Sequence, residues 1–358
     1  MLKINNAFLV NNFLKINNYL NNKNNKISKI ILLLDKNVKE KYLNFFIKKI
    51  PILVNSKVII IKSGEKYKNL FISIKILKFL LLSNIDKNAI LINIGGGVIT
   101  DLGGFIASIY KRGIRFINIP TTLLGIIDAS IGGKNSVNLN NYKNEIGLIK
   151  KPIFILIYNF FLKTLSKKEI FSGLGELLKY GLIYDKELWN YLKKINFYNY
   201  KNIIWDKIIY KSILIKQNIV KKDPNEKLGL RKILNFGHTI GHAIESFFLK
   251  KKKKITHGES IALGMICESW LSKKKNKLSK KEYIEICHVI LKYFKIRKIK
   301  KKYFNIILNY IKNDKKNYNN NINFSLLRKI GKCDYDKKID TKLIIKSIKI
   351  MNKIINYE

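Results

Sequence analysis

Cysteine, arginine and acidic side chains are scarce in this chain, and long uncharged apolar runs are missing. Its three cysteines, Cys267, Cys287 and Cys333, are an odd number with no CxxC pair, which argues against a disulfide framework or a thiolate zinc knuckle. The longest uncharged window, residues 88–100, is interrupted by Gly, Asn and Thr and falls short of the ~18–20 apolar residues a membrane span needs. The first residues, Met1-Leu2-Lys3-Ile4-Asn5-Asn6, are polar and broken by charge, so no apolar leader is expected and a reducing cytoplasm is the default location. Acidic residues number 24 against 70 Lys and Arg, a formal charge of +46. Only five of the cations are Arg (Arg112, Arg115, Arg231, Arg297 and Arg328) and no Arg- or aromatic-rich patch gathers them. Lys accompanies abundant Asn, Ile, Tyr and Phe, the residue set of AT-rich codons. The charge is therefore read as compositional bias over solvated faces, not as a nucleic-acid footprint, although it can draw in an anionic substrate. Disorder is excluded because 47% of the 358 residues are hydrophobic, enough for a sizeable core.

Short apolar runs end in turn residues throughout the first part of the chain. Residues 30–34, 58–61, 89–94, 116–120 and 154–157 read as buried strands, and the stretch from Leu70 to Leu81 reads as a helix. Strands alternating with helices predict a parallel sheet with crossover connections. Beyond about residue 162, Lys-rich stretches with apolar residues three and four apart predict helices. The expected division is 1–162, an α/β domain with a Rossmann-like parallel sheet, and 163–358, an α-helical domain. The Lys run at 250–254 and the Asn run at 319–321 are expected to be loops.

Four groups of residues can carry chemistry. Gly95-Gly96-Gly97-Val98-Ile99-Thr100-Asp101 follows a strand and opens a helix, which lets a backbone approach phosphate, although a tight strand–helix turn would show the same glycines. His238 and His242 lie four apart, on one helical face, and His257-Gly258-Glu259 follows; two imidazoles so placed can ligate a metal or reach one substrate. Glu176 and Lys179 are three apart between glycines, which suits either a surface ion pair or a partly buried turn. The run from Lys111 to Lys134, dense in Gly, Thr, Asp and cations, suits a loop cradling an anion or a plain polar connection.

Taken in order, these motifs resemble the 3-dehydroquinate synthase family. The resemblance is carried by Gly95 to Asp101, Arg112-Gly113-Ile114-Arg115, Pro120-Thr121-Thr122-Leu123-Leu124, Asp128-Ala129-Ser130-Ile131-Gly132-Gly133-Lys134 and Lys143-Asn144. It continues through Gly175-Glu176-Leu177-Leu178-Lys179, Gly229-Leu230-Arg231, Asn235-Phe236-Gly237-His238-Thr239-Ile240-Gly241-His242 and His257-Gly258-Glu259. It implies the fold of that family, NAD as cofactor, one divalent metal (zinc or cobalt), and a homodimer in the cytoplasm with neither nucleic acid nor membrane as partner. The implied reaction converts a small sugar phosphate, 3-deoxy-D-arabino-heptulosonate 7-phosphate, to 3-dehydroquinate and phosphate. Another sugar phosphate cyclase and a metal-dependent polyol dehydrogenase are the alternatives.

Residue by residue, the resemblance implies Glu176, His238 and His257 as metal ligands, a donor set of the kind that leaves positions open at a catalytic zinc. It implies His242, Lys134, Lys179, Arg231, Asn235, Arg112, Asn144 and Lys216 as catalytic and substrate-binding groups. It implies Asp35, Asn37, Glu65, Lys68, Gly95, Gly96, Gly97, Asp101, Thr121, Thr122, Asp128, Lys134 and Lys143 as NAD contacts, with Lys332 a later phosphate contact. Thr100 stands where the family has Gly and Tyr142 where Gly is common. A residue is inserted near Asp223-Pro224-Asn225-Glu226, and the Lys run lengthens the loop before His257.

Overall fold

The computed structural model describes residues 1–140, 142–224, 226–251, 253, 255–295, 298–312 and 322–354. The loop expected at Asn319-Asn320-Asn321 lies outside them, as do Asn225 and, within the 250–254 run, Lys252 and Lys254. The chain forms two compact units, Met1–Leu165 with Ile204–Ile213, and Ser166–Ile203 with Leu214–Glu358. It leaves the first unit just after the break expected at 162/163; the return of Ile204–Ile213 has no compositional signature.

The first unit is built on seven strands: β1 (Leu2–Ile4), β2 (Ala7–Leu9), β3 (Ile30–Asp35), β4 (Lys57–Ile61), β5 (Ile90–Gly95), β6 (Arg115–Pro120) and, after an antiparallel hairpin of β7 (Lys134–Leu139) and β8 (Tyr142–Ile149), β9 (Ile155–Ile157). The sheet order is β1-β2-β9-β6-β5-β3-β4, with only β1–β2 antiparallel. Helices α1 (Leu14–Asn21), α2 (Lys36–Lys49), α3 (Leu70–Leu82) and α4 (Gly97–Ile109) flank it. Strand periodicity explains the two cores. Leu32 and Leu34 face one way with Ile92, Ile94 and Phe46 of α2, while Ile31 and Leu33 face the other with Leu91, Ile76 of α3 and Leu102 of α4. The five strands anticipated from apolar runs are all present. β7–β8 was not anticipated, and Lys134, expected in a loop, begins a strand: β7 buries only Asn135 and Val137 between half-buried or exposed neighbours, and β8 is half-buried or exposed throughout, so neither shows an apolar run.

The second unit contains α5 (Lys167–Ile183), α6 (Lys186–Leu192), the later part of α7 (Trp205–Lys222), α8 (His238–Lys250), α9 (His257–Lys275), α10 (Lys280–Leu291), α11 (Phe304–Lys312), a hairpin of β10 (Asn323–Lys329) and β11 (Lys332–Lys338), and α12 (Thr341–Ile354). Helix α9 is its axis. It is buried at Gly258 and from Ser260 to Ser272, and packs against α5, α8, α10, α12 and β10. Thr256 and Glu259 close a capping box that fixes its start at His257. The outer helices bury one stripe each, as at Ile344, Ser347, Ile348 and Met351 of α12, and turn their lysines outward. All three cysteines are free; burial raises the thiol of Cys287 to about 12 and that of Cys267 higher still, so both pack as apolar side chains.

Candidate active site

Three helices of the second unit bring one carboxylate and two imidazoles together. Glu176 comes from the middle of α5, and His238 and His257 are the first residues of α8 and α9. Each offers one ligand atom, and the three atoms lie within 4.8 Å of one another. Both Nε2 atoms are 3.2 Å from Glu176 Oε1. The ring of His242, one turn along α8, stands 5.0 Å from that of His238 and 5.9 Å from that of His257. Lys179 is buried against Glu176 Oε2.

The hydrogen-bond pattern sets the protonation. His238 Nδ1 is 3.1 Å from the Phe236 carbonyl, which can only accept, so the ring proton sits on Nδ1 and the Nε2 lone pair points at a carboxylate oxygen. Two acceptors face each other there, an arrangement that a cation between them relieves. Burial, reinforced by Lys179, lowers His238 to about 4 and keeps it neutral near pH 7. Burial also opposes ionisation of Glu176, but Lys179, with the hydrogen bond from His257, outweighs it and holds the carboxyl well below its ordinary range. Burial likewise works against protonation of His257, yet its contacts with Glu176 and Glu245 prevail and raise it to about 9.

Glu245 was not anticipated. It is 3% exposed on α8, with Oε2 3.5 Å from His257 Nδ1, and it forms a second candidate cluster with His242 and His257. The signal was available: Glu245 follows His242 by three residues, on the same helical face.

Arg231 is held by the segment before it. The carboxylate of Asp223 accepts from the backbone N–H of Leu228 at 3.0 Å and of Arg231 at 3.1 Å, the guanidinium donates to the Pro224 carbonyl at 3.0 Å, and Glu226 lies 3.5 Å from Arg231 Nε. Asp223, Pro224 and Glu226, from the segment read as an insertion, thus form a collar around Arg231. Burial raises the Asp223 carboxyl, but the backbone donors outweigh it and leave it below its ordinary 3.8. A lowered carboxyl contributes stability above its unfolded pKa and loses it as pH falls through the folded value. Asp223→Asn should therefore melt about 2–6 °C below the parent at pH 7, with the gap narrowing as the pH falls below 3.8. Thermal unfolding at pH 7 and pH 3 checks this; an undiminished gap at pH 3 would contradict it. Lys216 is buried on α7, Asn235 is half-buried just before the Gly237 turn, and Lys332 is exposed at the start of β11.

In the first unit the chain passes from β3 outward to β4, then back across to β5. The ends of β3 and β5 therefore flank the reversal point, where open parallel sheets take ligands. Asp35 ends β3, accepts from the N–H groups of Asn37 and Val38, and is bonded by Ser63. Gly95 ends β5 and α4 begins at Gly97. A Cβ at Gly96 would lie 3.0 Å from Thr122, and one at Gly97 3.0 Å from Ala129, so the turn packs closely where side chains would crowd it. Thr121 donates its N–H to Gly95 O, and Thr100, in place of the family's Gly, turns its hydroxyl back to Gly97 O. A second group gathers around Lys68, which is bonded to Asp101 at 2.5 Å and to Asn144 at 2.6 Å. Glu65 bonds Asn138 at 2.8 Å and lies 3.7 Å from Lys143. Asn138 was not anticipated; it also accepts from the Asn144 N–H, holding that residue in a left-handed conformation (φ 57°). Asp128 sits in the turn Gly125–Ala129, Lys134 is exposed, and Arg112 is exposed in a left-handed turn before β6.

Comparison with known proteins agrees along the chain. Residues 58–172 match the 3-dehydroquinate synthase N-terminal family and residues 173–317 the 3-dehydroquinate synthase C-terminal family. A 3-dehydroquinate synthase of Parabacteroides distasonis is 35% identical over 329 residues, 90% of this chain and 91% of that one. A structure of 2-deoxy-scyllo-inosose synthase complexed with carbaglucose-6-phosphate, NAD+ and Co2+ aligns with TM-score 0.81 at 24% identity, covering 96% of both chains. ValA, a 2-epi-5-epi-valiolone synthase of Streptomyces hygroscopicus with NAD+ and Zn2+ bound, aligns with TM-score 0.79 at 21% identity over 99% of both. At those identities the two structures establish the fold.

Proposed function

The chain belongs to the 3-dehydroquinate synthase family, and from that membership we infer its reaction, the conversion of 3-deoxy-D-arabino-heptulosonate 7-phosphate to 3-dehydroquinate and phosphate. The reaction oxidises a ring hydroxyl to a ketone, removes the acidified proton from the neighbouring carbon while phosphate leaves from the carbon beyond it, reduces the ketone again, opens the ring and closes it by an intramolecular aldol step. The observation that carries the reading in this chain is the convergence of Glu176, His238 and His257.

That donor set fits a divalent ion: one anionic oxygen and two imidazole nitrogens, with the His238 lone pair turned toward the carboxylate. The turn at Gly95-Gly96-Gly97, with its amides beside the strand reversal, fits the diphosphate of NAD. When bound, NAD takes and returns a hydride while the divalent ion acidifies the hydroxyl being oxidised. The remaining work falls to side chains. His242, close to both ligand imidazoles, takes the hydroxyl proton. Lys179 keeps Glu176 ionised, and Arg231, fixed by its collar, holds an anionic group of the substrate, assisted by Lys216 and Asn235. In the first unit, Asp35, Asn37, Glu65, Lys68, Asp101, Thr121, Thr122, Asp128 and Lys143 are proposed as NAD contacts, and Arg112, Lys134 and Asn144 as substrate contacts. A homodimer in the cytoplasm completes the reading.

Phosphate release from the heptulosonate phosphate should depend on both NAD and a divalent metal, with no net NADH. NADH accumulating in step with turnover would instead mark a polyol dehydrogenase, and absence of release on this substrate would point to another sugar phosphate cyclase.

A further inference from the structure

Helix α8, which carries His238 and His242, begins without a capping side chain of its own. Its N-cap is Gly237, with φ 78°. Capping of such a start normally comes from the N-cap side chain. Here it comes from another helix. Glu268 of α9 is fully buried, and its Oε2 accepts from the Gly237 N–H at 2.7 Å while its Oε1 accepts from the Ile240 N–H at 3.0 Å. The positive end of the α8 dipole also compensates its charge.

The reach is possible because the helices touch backbone to backbone. A Cβ on Gly264 would lie 1.9 Å from Gly237 O and 2.8 Å from Gly241 N. Glu268 stands one turn beyond Gly264 on the same face of α9. The helix that begins with His257 therefore also grips the turn from which His238 projects.

We propose that Glu268 is a positioning residue for the metal centre: by clamping the first turn of α8 it fixes His238 relative to His257. The inference rests on the reading of Glu176, His238 and His257 as ligands. In Glu268→Gln the amide has one acceptor, and its NH2 opposes a backbone donor, so one of the two bonds is lost. The ligands themselves are untouched.

The test titrates the metal-free full chain with Zn2+ against a chromophoric chelator, for the parent, E268Q, H238A and I344A. Ile344 is buried on α12, a helix that packs on α9 and lies outside the α8 turn, so I344A supplies a loss of stability without touching that turn. E268Q should weaken Zn2+ binding about 10–100-fold, with I344A at parental affinity. Parental affinity in E268Q beside a loss in H238A would overturn the clamp and leave the ligand reading standing. Equal weakening in E268Q and I344A would also overturn it, reducing Glu268 to a fold-stabilising role. Parental affinity in H238A would sink the ligand reading itself. Should E268Q not fold, amide exchange in the parent decides: Gly237 and Ile240 should exchange slowly, and rapid exchange of both would overturn the clamp.

Discussion

His238→Ala should leave a folded chain that neither holds a divalent ion nor turns over. The substitution removes one of three donors. Apparent zinc affinities of about 10–16 kcal/mol spread over four ligands suggest roughly 3 kcal/mol for each, a loss of more than about 100-fold in affinity. A Lewis acid at a developing alkoxide is worth several kcal/mol, so phosphate release should fall by about 10³ or more. The fold should survive because Glu176 keeps Lys179 as its buried counter-charge. Metal content after dialysis, phosphate release and the melting temperature, measured on one preparation, check the prediction. A metal-replete, active variant would remove His238 from the ligand set.

Gly258→Ala should damage the same centre from the backbone. Helices α5 and α9 cross where Gly175 meets Gly258, and the neighbouring residues are Glu176 and His257. A Cβ at Gly258 would lie 2.4 Å from Ser172 O and 2.7 Å from both Phe171 O and Ser172 Cα. None of these atoms belongs to a flexible side chain, so the helices must part. Overpacking of this kind costs about 1–3 kcal/mol or more, a drop of roughly 5 °C or more in melting temperature. Because the movement separates Glu176 from His257, metal affinity should fall although every ligand remains. A variant that melts early but binds metal as the parent does would show that the crossing does not set the ligand spacing.

The sequence was most informative where burial is uniform. Runs such as residues 30–34 and 89–94 are almost wholly apolar on both faces of a sheet, and their shortness and flanking turn residues separate them from buried helices. The hairpins β7–β8 and β10–β11 were missed for the opposite reason. Apart from the short apolar patch Phe324–Leu327, their strands are polar or Lys-rich, and their pairing depends on partners the local pattern does not name. The proposed ligands Glu176, His238 and His257 came from the family resemblance; spacing alone offered His238 and His242 on one helical face, and Glu176 among glycines where a surface charge is unexpected. Glu245, Asn138 and Glu268 act across elements. Nothing near Glu268 in sequence marks it as the cap of a helix that begins thirty residues earlier.

Anomalous X-ray scattering at the zinc edge, from crystals grown with Zn2+, most directly tests whether these side chains share one ion. A single peak about 2.0–2.2 Å from Glu176 oxygen and from the Nε2 atoms of His238 and His257 is predicted. No peak at that position, or one held instead by His242, Glu245 and His257, would contradict it.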